Sequence, residues 1–195
     1  MPSTRERLTQ AAVRRFYRDG FRNVGLDQVL ADVGISKTAF YKHFECKEDL
    51  VLAALEMQDR WLQEMFQAMV RERGGVAPLG QLRALLDVVD SIIDADEYQG
   101  CIFVNVALEF PLPHEPAHVA AAAHKRAMEV IVHDLAARAG ATDPRQMARE
   151  LCLIMEGAYV TRQVTGDKQS IDVARRVADL VIAAHLGEAV PARAH

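Results

Sequence analysis

The chain has 195 residues, half of them apolar and about a quarter charged, which is typical of a globular protein with one large or two small domains. No stretch approaches the ~20 consecutive apolar residues of a membrane helix, and residues 1–10 are too polar for a signal peptide. We therefore expect a cytoplasmic protein with no membrane partner. Cys46, Cys101 and Cys152 are widely spaced, which is typical of reduced thiols and not of a disulfide framework or a zinc site.

The net charge of −4 is unevenly distributed along the chain. Residues 1–44 carry eight Lys and Arg against four acidic side chains, a net charge of +4, so the remaining residues carry −8. A basic end on an acidic body favours a protein that meets nucleic acid with one end only.

The predicted elements are all helices, because apolar residues recur at helical spacing and no run of β-branched residues alternates with period two. Ser3 and Glu6 have the spacing of a capping box at the start of the first helix, and Gly20 ends it. Asp143 and Pro144 mark the start of the eighth helix. The predicted helices span residues 4–19, 26–33, 37–44, 47–73, 79–94, 101–110, 116–139, 144–165 and 169–186. The sequence thus predicts an all-α fold of about nine helices.

Residues 26–44 have the layout of a helix-turn-helix, in which two short helices flank a turn at Gly34. Apolar residues at positions 29, 33, 35 and 40 are spaced to hold the two helices at a fixed angle. The second helix would carry outward five polar side chains that can donate to phosphate oxygens or contact bases. They are Lys37, Thr38, Tyr41, Lys42 and His43. The alternative is an ordinary helical hairpin whose Lys and His side chains are only solvated.

A longer pattern surrounds this segment. It consists of Gly20-Phe21, Val29, Gly34-Ile35-Ser36-Lys37-Thr38-Ala39-Phe40-Tyr41-Lys42-His43-Phe44 and Lys47-Glu48-Asp49-Leu50. This pattern resembles the signature of the TetR (tetracycline repressor) family of bacterial transcriptional regulators. A looser resemblance continues in Gly100-Cys101, Asn105, Glu109, Phe110-Pro111 and Gly157-Ala158. The resemblance implies an N-terminal three-helix DNA-binding domain at residues 1–46, called the head below, and a ligand-binding and dimerisation domain at residues 47–195.

Four residues depart from the family pattern. Val24-Gly25 replaces a Thr/Ser pair that supplies an N-cap and a phosphate contact, and Cys46 replaces the Ser cap of the fourth helix. Leu30 replaces a small Ala, so it either widens the crossing of the two helices or fills a gap. We therefore expect DNA affinity to depend more on the third helix and on Lys47 than in a typical member.

The resemblance implies DNA contacts by Ser36, Lys37, Thr38, Tyr41, Lys42, His43 and Lys47. Lys37 and Thr38, at the start of the recognition helix, would face base edges. Lys47, at the start of the fourth helix, would hold a phosphate by its charge and by the helix dipole. For two residues a structural alternative remains open, in which His43 packs within the head and Lys42 is only solvated.

The resemblance also implies a small-molecule pocket enclosed by the fifth to seventh helices, with the fourth helix linking it to the head. Flexible and aromatic apolar side chains with a few polar ones suit such a pocket. The candidates are Met65, Phe66, Met69, Phe103, Asn105, Glu109, Met128, Met155 and Tyr159. Plain core packing is the alternative for each apolar member.

Three histidines, His114, His118 and His124, suggest a metal site, since the first two are spaced as ligands on one helix. Pro113 and Pro116 interrupt the helix at that point, and no HExxH motif is present. We therefore expect a solvated helix start, no bound metal and no cofactor.

The eighth and ninth helices are predicted to form a four-helix bundle with those of a second copy, because apolar residues recur along both at helical spacing. The candidates are Leu151, Ile154, Gly157, Ala158, Val173, Val177, Leu180, Val181 and Ala184. A dimer is needed for two recognition helices to reach successive major grooves, about 34–36 Å apart.

The sequence therefore predicts a ligand-responsive regulator that binds a double-stranded DNA operator as a homodimer and is not an enzyme. Family habit favours a repressor that a small molecule releases from its operator. The alternatives are an activator, a ligand-blind DNA-binding protein with the same head, and a metal-dependent His/Glu enzyme. The enzyme has no support from the motifs, since G-x-S-x-G and the P-loop pattern are both absent. The sequence specifies neither the effector nor the operator.

Overall fold

The computed structural model describes residues 2–187, and within this range the chain forms nine α-helices and no β-strand. They are α1 (Thr4–Asp19), α2 (Leu26–Val33), α3 (Lys37–Phe40), α4 (Lys47–Gly74), α5 (Pro78–Ile93), α6 (Ile102–Glu109), α7 (Pro116–Arg138), α8 (Pro144–Thr165) and α9 (Ser170–Leu186). The predicted all-α fold is therefore confirmed. Among these helices none is long and apolar enough to cross a membrane.

Local hydrogen bonds explain several helix ends. The Ser3 hydroxyl accepts a hydrogen bond from the Glu6 amide (3.2 Å), and the Glu6 carboxylate accepts one from the Ser3 amide (2.6 Å), which is the predicted capping box. The Asp143 carboxylate accepts a hydrogen bond from an amide in the first turn of α8 (3.0 Å). The main difference from prediction is α3, which ends at Phe40 and not at residue 44. Beyond it the chain forms a turn in which the His43 amide donates to the Phe40 carbonyl oxygen (2.8 Å).

The described chain divides into two compact units, each with its own hydrophobic core. The first contains residues 2–62 and Cys101–His124, and the second contains Gln63–Gly100 and residues 125–187. The first unit therefore includes the head, the first part of α4, α6 and the start of α7. The first unit is larger than the predicted head, since it also contains residues 47–62 and Cys101–His124.

The core of the first unit is rich in aromatic side chains. The Phe16 and Phe21 rings stack with their centroids 5.1 Å apart. Val24 and Leu30, two departures from the family pattern, are both buried in this core, so the larger side chain of Leu30 fills space inside the head. Trp61, the single tryptophan of the sequence, lies in α4 and is 54% exposed.

In the second unit α8 packs against α9, and α5 packs against both. The Arg175 guanidinium on α9 joins these helices through ion pairs with Asp90 (2.5 Å) and Asp87 (2.9 Å) of α5 and with Asp172 (3.0 Å) of α9. Because a guanidinium presents several donors in a fixed planar arrangement, one side chain can bridge the two helices.

Candidate nucleic-acid interface

The helix-turn-helix consists of α2, the turn at Gly34 and α3. Gly34 has φ 72° and ψ 42°, in the left-handed region that favours glycine, and its amide donates to the Leu30 carbonyl oxygen (2.9 Å). Ser36 precedes α3, and its hydroxyl accepts a hydrogen bond from the Ala39 amide (3.2 Å). Phe40 is fully buried in the core of the first unit, which anchors the short α3. These contacts fix the recognition segment, defined as residues 36–43, on the head.

The recognition segment presents polar side chains to solvent. Its exposed residues include Lys37, Thr38, Tyr41, Lys42 and His43. Tyr41 is 58% exposed although its ring packs edge-on against Phe40, with the centroids 5.3 Å apart. His43 is exposed, so the alternative of a packing role within the head has no support. Donors held outward on an anchored segment suit contacts with phosphates and base edges.

Lys47 is more enclosed than a free phosphate ligand would be. It is half-buried, its ammonium donates to the Phe21 carbonyl oxygen (2.7 Å), and it lies 5.8 Å from the centroid of the Phe16 ring. Lys47 therefore ties the start of α4 to the segment after α1. An ammonium group has three donors, so this contact leaves donors for a phosphate, and the phosphate contact stays a prediction.

A groove of about 700 Å³ beside the recognition segment includes a residue that sequence reasoning missed. Tyr41, Lys42 and His43 line this groove together with Arg5 of α1. The Arg5 guanidinium lies 4.6 Å from the centroid of the Phe44 ring, a cation–π arrangement. The contact joins the start of α1 to the end of the helix-turn-helix, two segments that are far apart in the sequence. The sequence around Arg5 therefore does not distinguish it from the other basic residues of the head.

Two acidic residues of the head form ion pairs with neighbouring arginines. The Arg15 guanidinium donates to both carboxylate oxygens of Asp32, at 2.5 and 2.7 Å, and to Asp19 at 3.2 Å. Hydrogen bonds from Arg18, and then from Arg15, lower the pKa of Asp19 to about 2, so this carboxylate is ionised at neutral pH. Part of the positive charge counted in residues 1–44 is therefore neutralised by acidic side chains of the head itself.

Glu109, a predicted pocket residue, contacts the head. Its carboxylate oxygens accept hydrogen bonds from the backbone amides of Phe21 (3.0 Å) and Arg22 (2.7 Å). The Arg22 guanidinium lies 5.1 Å from the centroid of the Phe110 ring and 3.6 Å from the Glu115 carboxylate. Both oxygens of Glu109 thus join α6 to the segment after α1. A tertiary contact of this kind has no signal in the local sequence pattern.

The other pocket candidates are divided between the two units. Phe103 and Asn105 belong to the first, where the buried Phe103 stacks on His124 with the ring centroids 3.9 Å apart. The second unit contains Met65, Phe66, Met69, Met128, Met155 and Tyr159. Phe66 and Met155 are buried in its core, and the other four are half-buried. A cavity of about 170 Å³ in the second unit is lined by other residues, namely Gln67, Val70, Arg71, Gln81, Ile131, Asp134, Leu135 and Arg138.

Two of the three histidines have hydrogen-bond partners in the first unit. His118 Nδ1 lies 2.8 Å from the Phe110 carbonyl oxygen, and His124 Nδ1 lies 2.6 Å from the Asp59 carboxylate. Across residues 2–187, no three His, Cys, Asp or Glu side chains are placed to hold a metal ion.

The apolar residues of α8 lie on two different faces. Leu151 and Ala158, both assigned to a dimer interface from the sequence, are buried in the core of the second unit. A second stripe of α8 is exposed and consists of Leu153, Gly157, Val160 and Val164. On α9 the exposed candidates are Val173, Val177, Leu180 and Ala184, while Ile154 of α8 and Val181 of α9 are half-buried. The exposed surface of α8 is thus shifted in register from the predicted set, because that helix has apolar residues on both faces.

Comparisons with known proteins agree with this architecture. Residues 8–54 match the family of bacterial regulatory proteins, tetR family, and residues 78–178 match the tetracyclin repressor-like C-terminal domain. The chain is also 22% identical over 178 residues to the HTH-type transcriptional regulator YjdC of Escherichia coli, which covers 91% of this chain and 93% of that protein.

Solved structures share the whole fold. SCO4454, a TetR-family transcriptional regulator from Streptomyces coelicolor, is 29% identical with a TM-score of 0.84, covering 93% of this chain and 95% of that chain. A TetR-type regulator from Streptomyces avermitilis (sav143) is 28% identical with a TM-score of 0.77, covering 92% and 98% of the two chains. The two matched segments, the helix-turn-helix and the shared fold show that this chain belongs to the TetR family of transcriptional regulators, which bind DNA.

Proposed function

We propose that this chain is a ligand-responsive, sequence-specific repressor that acts in the cytoplasm as a homodimer on a double-stranded DNA operator. The observation that carries the proposal is the recognition segment, whose polar side chains are exposed while Phe40 beneath them is fully buried. A segment anchored through its buried face holds the outward donors rigidly, as base-edge contacts require. The proposed DNA contacts are those of Ser36, Lys37, Thr38, Tyr41, Lys42, His43 and Lys47.

The exposed stripes of α8 and α9 support the homodimer. Large apolar side chains such as Leu153 (74% exposed), Val164 (77%) and Val173 (51%) recur along these helices at helical spacing. Exposed apolar side chains repeated along two helices that pack together are typical of an interface. Two copies related by a twofold axis would present two recognition segments to successive major grooves.

The first test is selection from a random duplex DNA library by the purified protein at a stated ionic strength. We expect a near-palindromic consensus whose half-sites lie about one to one and a half helical turns apart. Thr38→Ala and Tyr41→Ala should each weaken binding to the selected operator by about fivefold or more. Arg126→Ala, at an exposed position of α7 in the second unit, is the control and should bind as the wild type does. Absence of any enriched sequence would contradict a sequence-specific function.

We place the effector site in the second unit, next to the half-buried Met65, Met69, Met128 and Tyr159. Flexible thioether and aromatic side chains suit a small apolar molecule with few polar groups. α4 is one continuous helix that begins in the first unit and ends in the second, so a ligand that displaces its second part would also act on the head. To change operator occupancy from 99:1 to 1:99, the ligand must prefer the non-binding state by about 5.5 kcal/mol.

The effector proposal is tested by screening small apolar molecules for an increase in the melting temperature, followed by operator binding with each hit. We expect a true effector to weaken operator binding, and Met128→Ala to reduce that response. Met57→Ala is the matched control, since it removes a half-buried methionine from the first unit. Hits that stabilise the protein but all leave operator affinity unchanged would contradict a ligand-responsive repressor.

A further inference from the structure

The first residue of α3 is already paired with an acidic neighbour. The Lys37 ammonium lies 2.9 and 3.1 Å from the two carboxylate oxygens of Asp27, the second residue of α2. The two side chains are 60% and 74% exposed, so the pair lies at the protein surface and not in the core. The hydrogen bond to Asp27 raises the pKa of Lys37, which is charged at neutral pH.

This pair changes what Lys37 offers to DNA. An unpaired lysine binds any phosphate as a point charge and releases a counterion, which gives affinity without sequence preference. The Asp27 carboxylate neutralises that charge and is itself repelled by phosphates. The pair therefore gains little binding free energy from the DNA backbone. Because both side chains are exposed, their ion pair is weak and can adjust when a better set of partners is available.

A G·C base pair offers such a set in the major groove. Guanine presents the N7 and O6 acceptors, and cytosine beside it presents the N4 amino donor. Lysine is a usual donor to guanine O6 and N7, and a carboxylate is a usual acceptor from cytosine N4. Asp27 and Lys37 hold an acceptor and a donor side by side, about 3 Å apart, which matches this pattern.

We propose that Asp27 and Lys37 together read one G·C base pair in each operator half-site, and that Asp27 also suppresses binding to unrelated DNA. This inference rests on the proposed operator binding by the recognition segment. It makes Asp27, a residue of α2, a specificity-determining residue that neither the sequence pattern nor the family match indicates.

The test repeats the library selection with Asp27→Asn, which keeps the size of the side chain and removes its charge. We expect the consensus to persist, except that the preference for G·C at one position of each half-site falls by about tenfold. On a scrambled duplex, affinity should rise by about fivefold. The slope of the logarithm of the association constant against the logarithm of the salt concentration should steepen by about 0.9 for each lysine that becomes free to contact a phosphate.

Two controls separate this effect from a general change of charge. Asp94→Asn breaks another exposed Lys–Asp pair, in the second unit, in which Lys168 lies 2.5 Å from Asp94, and should leave consensus and slope unchanged. In a Lys37→Gln background, Asp27→Asn should no longer steepen the salt slope, because no lysine is freed to contact phosphate. Affinity for the scrambled duplex should then rise by less than about fivefold, since only the direct repulsion between Asp27 and phosphates is relieved.

The inference is overturned if Asp27→Asn leaves the consensus and the salt slope unchanged, if Asp94→Asn produces the same changes, or if the full rise in affinity and in salt slope persists without Lys37. These outcomes leave the proposed function intact provided that the wild type selects a consensus. A wild-type protein that selects none would contradict the operator proposal and this inference together.

Discussion

At the residue scale, Glu109 accepts two backbone hydrogen bonds that connect α6 with the segment after α1. Hydrogen bonds to a charged acceptor are worth about 1.5–3 kcal/mol, and the amide of the buried Phe21 would lose its partner if Glu109 were removed. We expect Glu109→Ala to lower the free energy of unfolding by about 2 kcal/mol, measured by urea denaturation with circular dichroism. Glu115→Ala, which breaks the 3.6 Å pair with Arg22 and a hydrogen bond from the exposed Leu112 amide (3.0 Å), should cost about 1 kcal/mol or less. Equal losses in the two variants would show that Glu109 makes no special contribution.

Cys152 should be the least reactive thiol of the chain. Burial raises its pKa to about 12, and the nearby Glu129 and Glu156 carboxylates act in the same direction. At pH 8 a thiol of that pKa is ionised in roughly one molecule in ten thousand, and the thiolate is the nucleophile. In a time course with iodoacetamide followed by peptide mass spectrometry, the Cys152 adduct should form more slowly than those of Cys46 and Cys101. The difference should disappear in urea, and rapid modification of Cys152 in the folded protein would refute the assignment.

At the scale of elements, α4 and α5 approach too closely for side chains where they meet. A Cβ atom on Gly74 would lie 2.4 Å from Gln81 Cα, and one on Gly80 would lie 2.3 Å from the Gly74 carbonyl oxygen. We expect Gly74→Ala and Gly80→Ala each to lower the free energy of unfolding by about 2 kcal/mol or more, since backbone atoms cannot move aside cheaply. Gly140→Ala is the control for conformation alone, because φ is +82° there but nothing lies within 4 Å of the added atom. It should cost about 1 kcal/mol, and an equal loss at all three positions would argue against a steric cause.

Helix ends were predictable where a local signal marks them, as at Ser3, Gly34 and Asp143, because capping depends on residues only a few positions apart. The recognition segment was predictable for the same reason, since its pattern is contiguous. The register of the α8 surface was not, because both faces of that helix carry apolar residues and periodicity alone does not say which face meets the core. The contacts of Arg5 with Phe44 and of Asp27 with Lys37 were not predicted, because they join different elements and leave no trace in local spacing.

At the scale of the whole molecule, the proposed dimer can be separated from the fold by a pair of matched variants. Leu153 on α8 and Leu108 on α6 are both 74% exposed, so neither contributes much to a core. Leu153→Glu should raise the dissociation constant of the dimer by about a hundredfold or more, because a buried unpaired carboxylate is costly at an apolar interface. Sedimentation velocity should show a monomer for Leu153→Glu and a dimer for Leu108→Glu, with unchanged far-ultraviolet circular dichroism in both. A dimeric Leu153→Glu protein would place the interface elsewhere.

Trp61 gives the protein an optical property that follows from its place in the fold. It is the single tryptophan of the sequence, it is half in contact with water, and it lies next to Leu62, where the first unit ends within α4. All indole fluorescence of the protein therefore comes from the stretch of helix that runs from one unit into the other. A compound that shifts this helix would change the emission maximum or the intensity of the tryptophan fluorescence in the unlabelled protein. The chain thus carries its single tryptophan in α4, next to the residue at which the first unit ends.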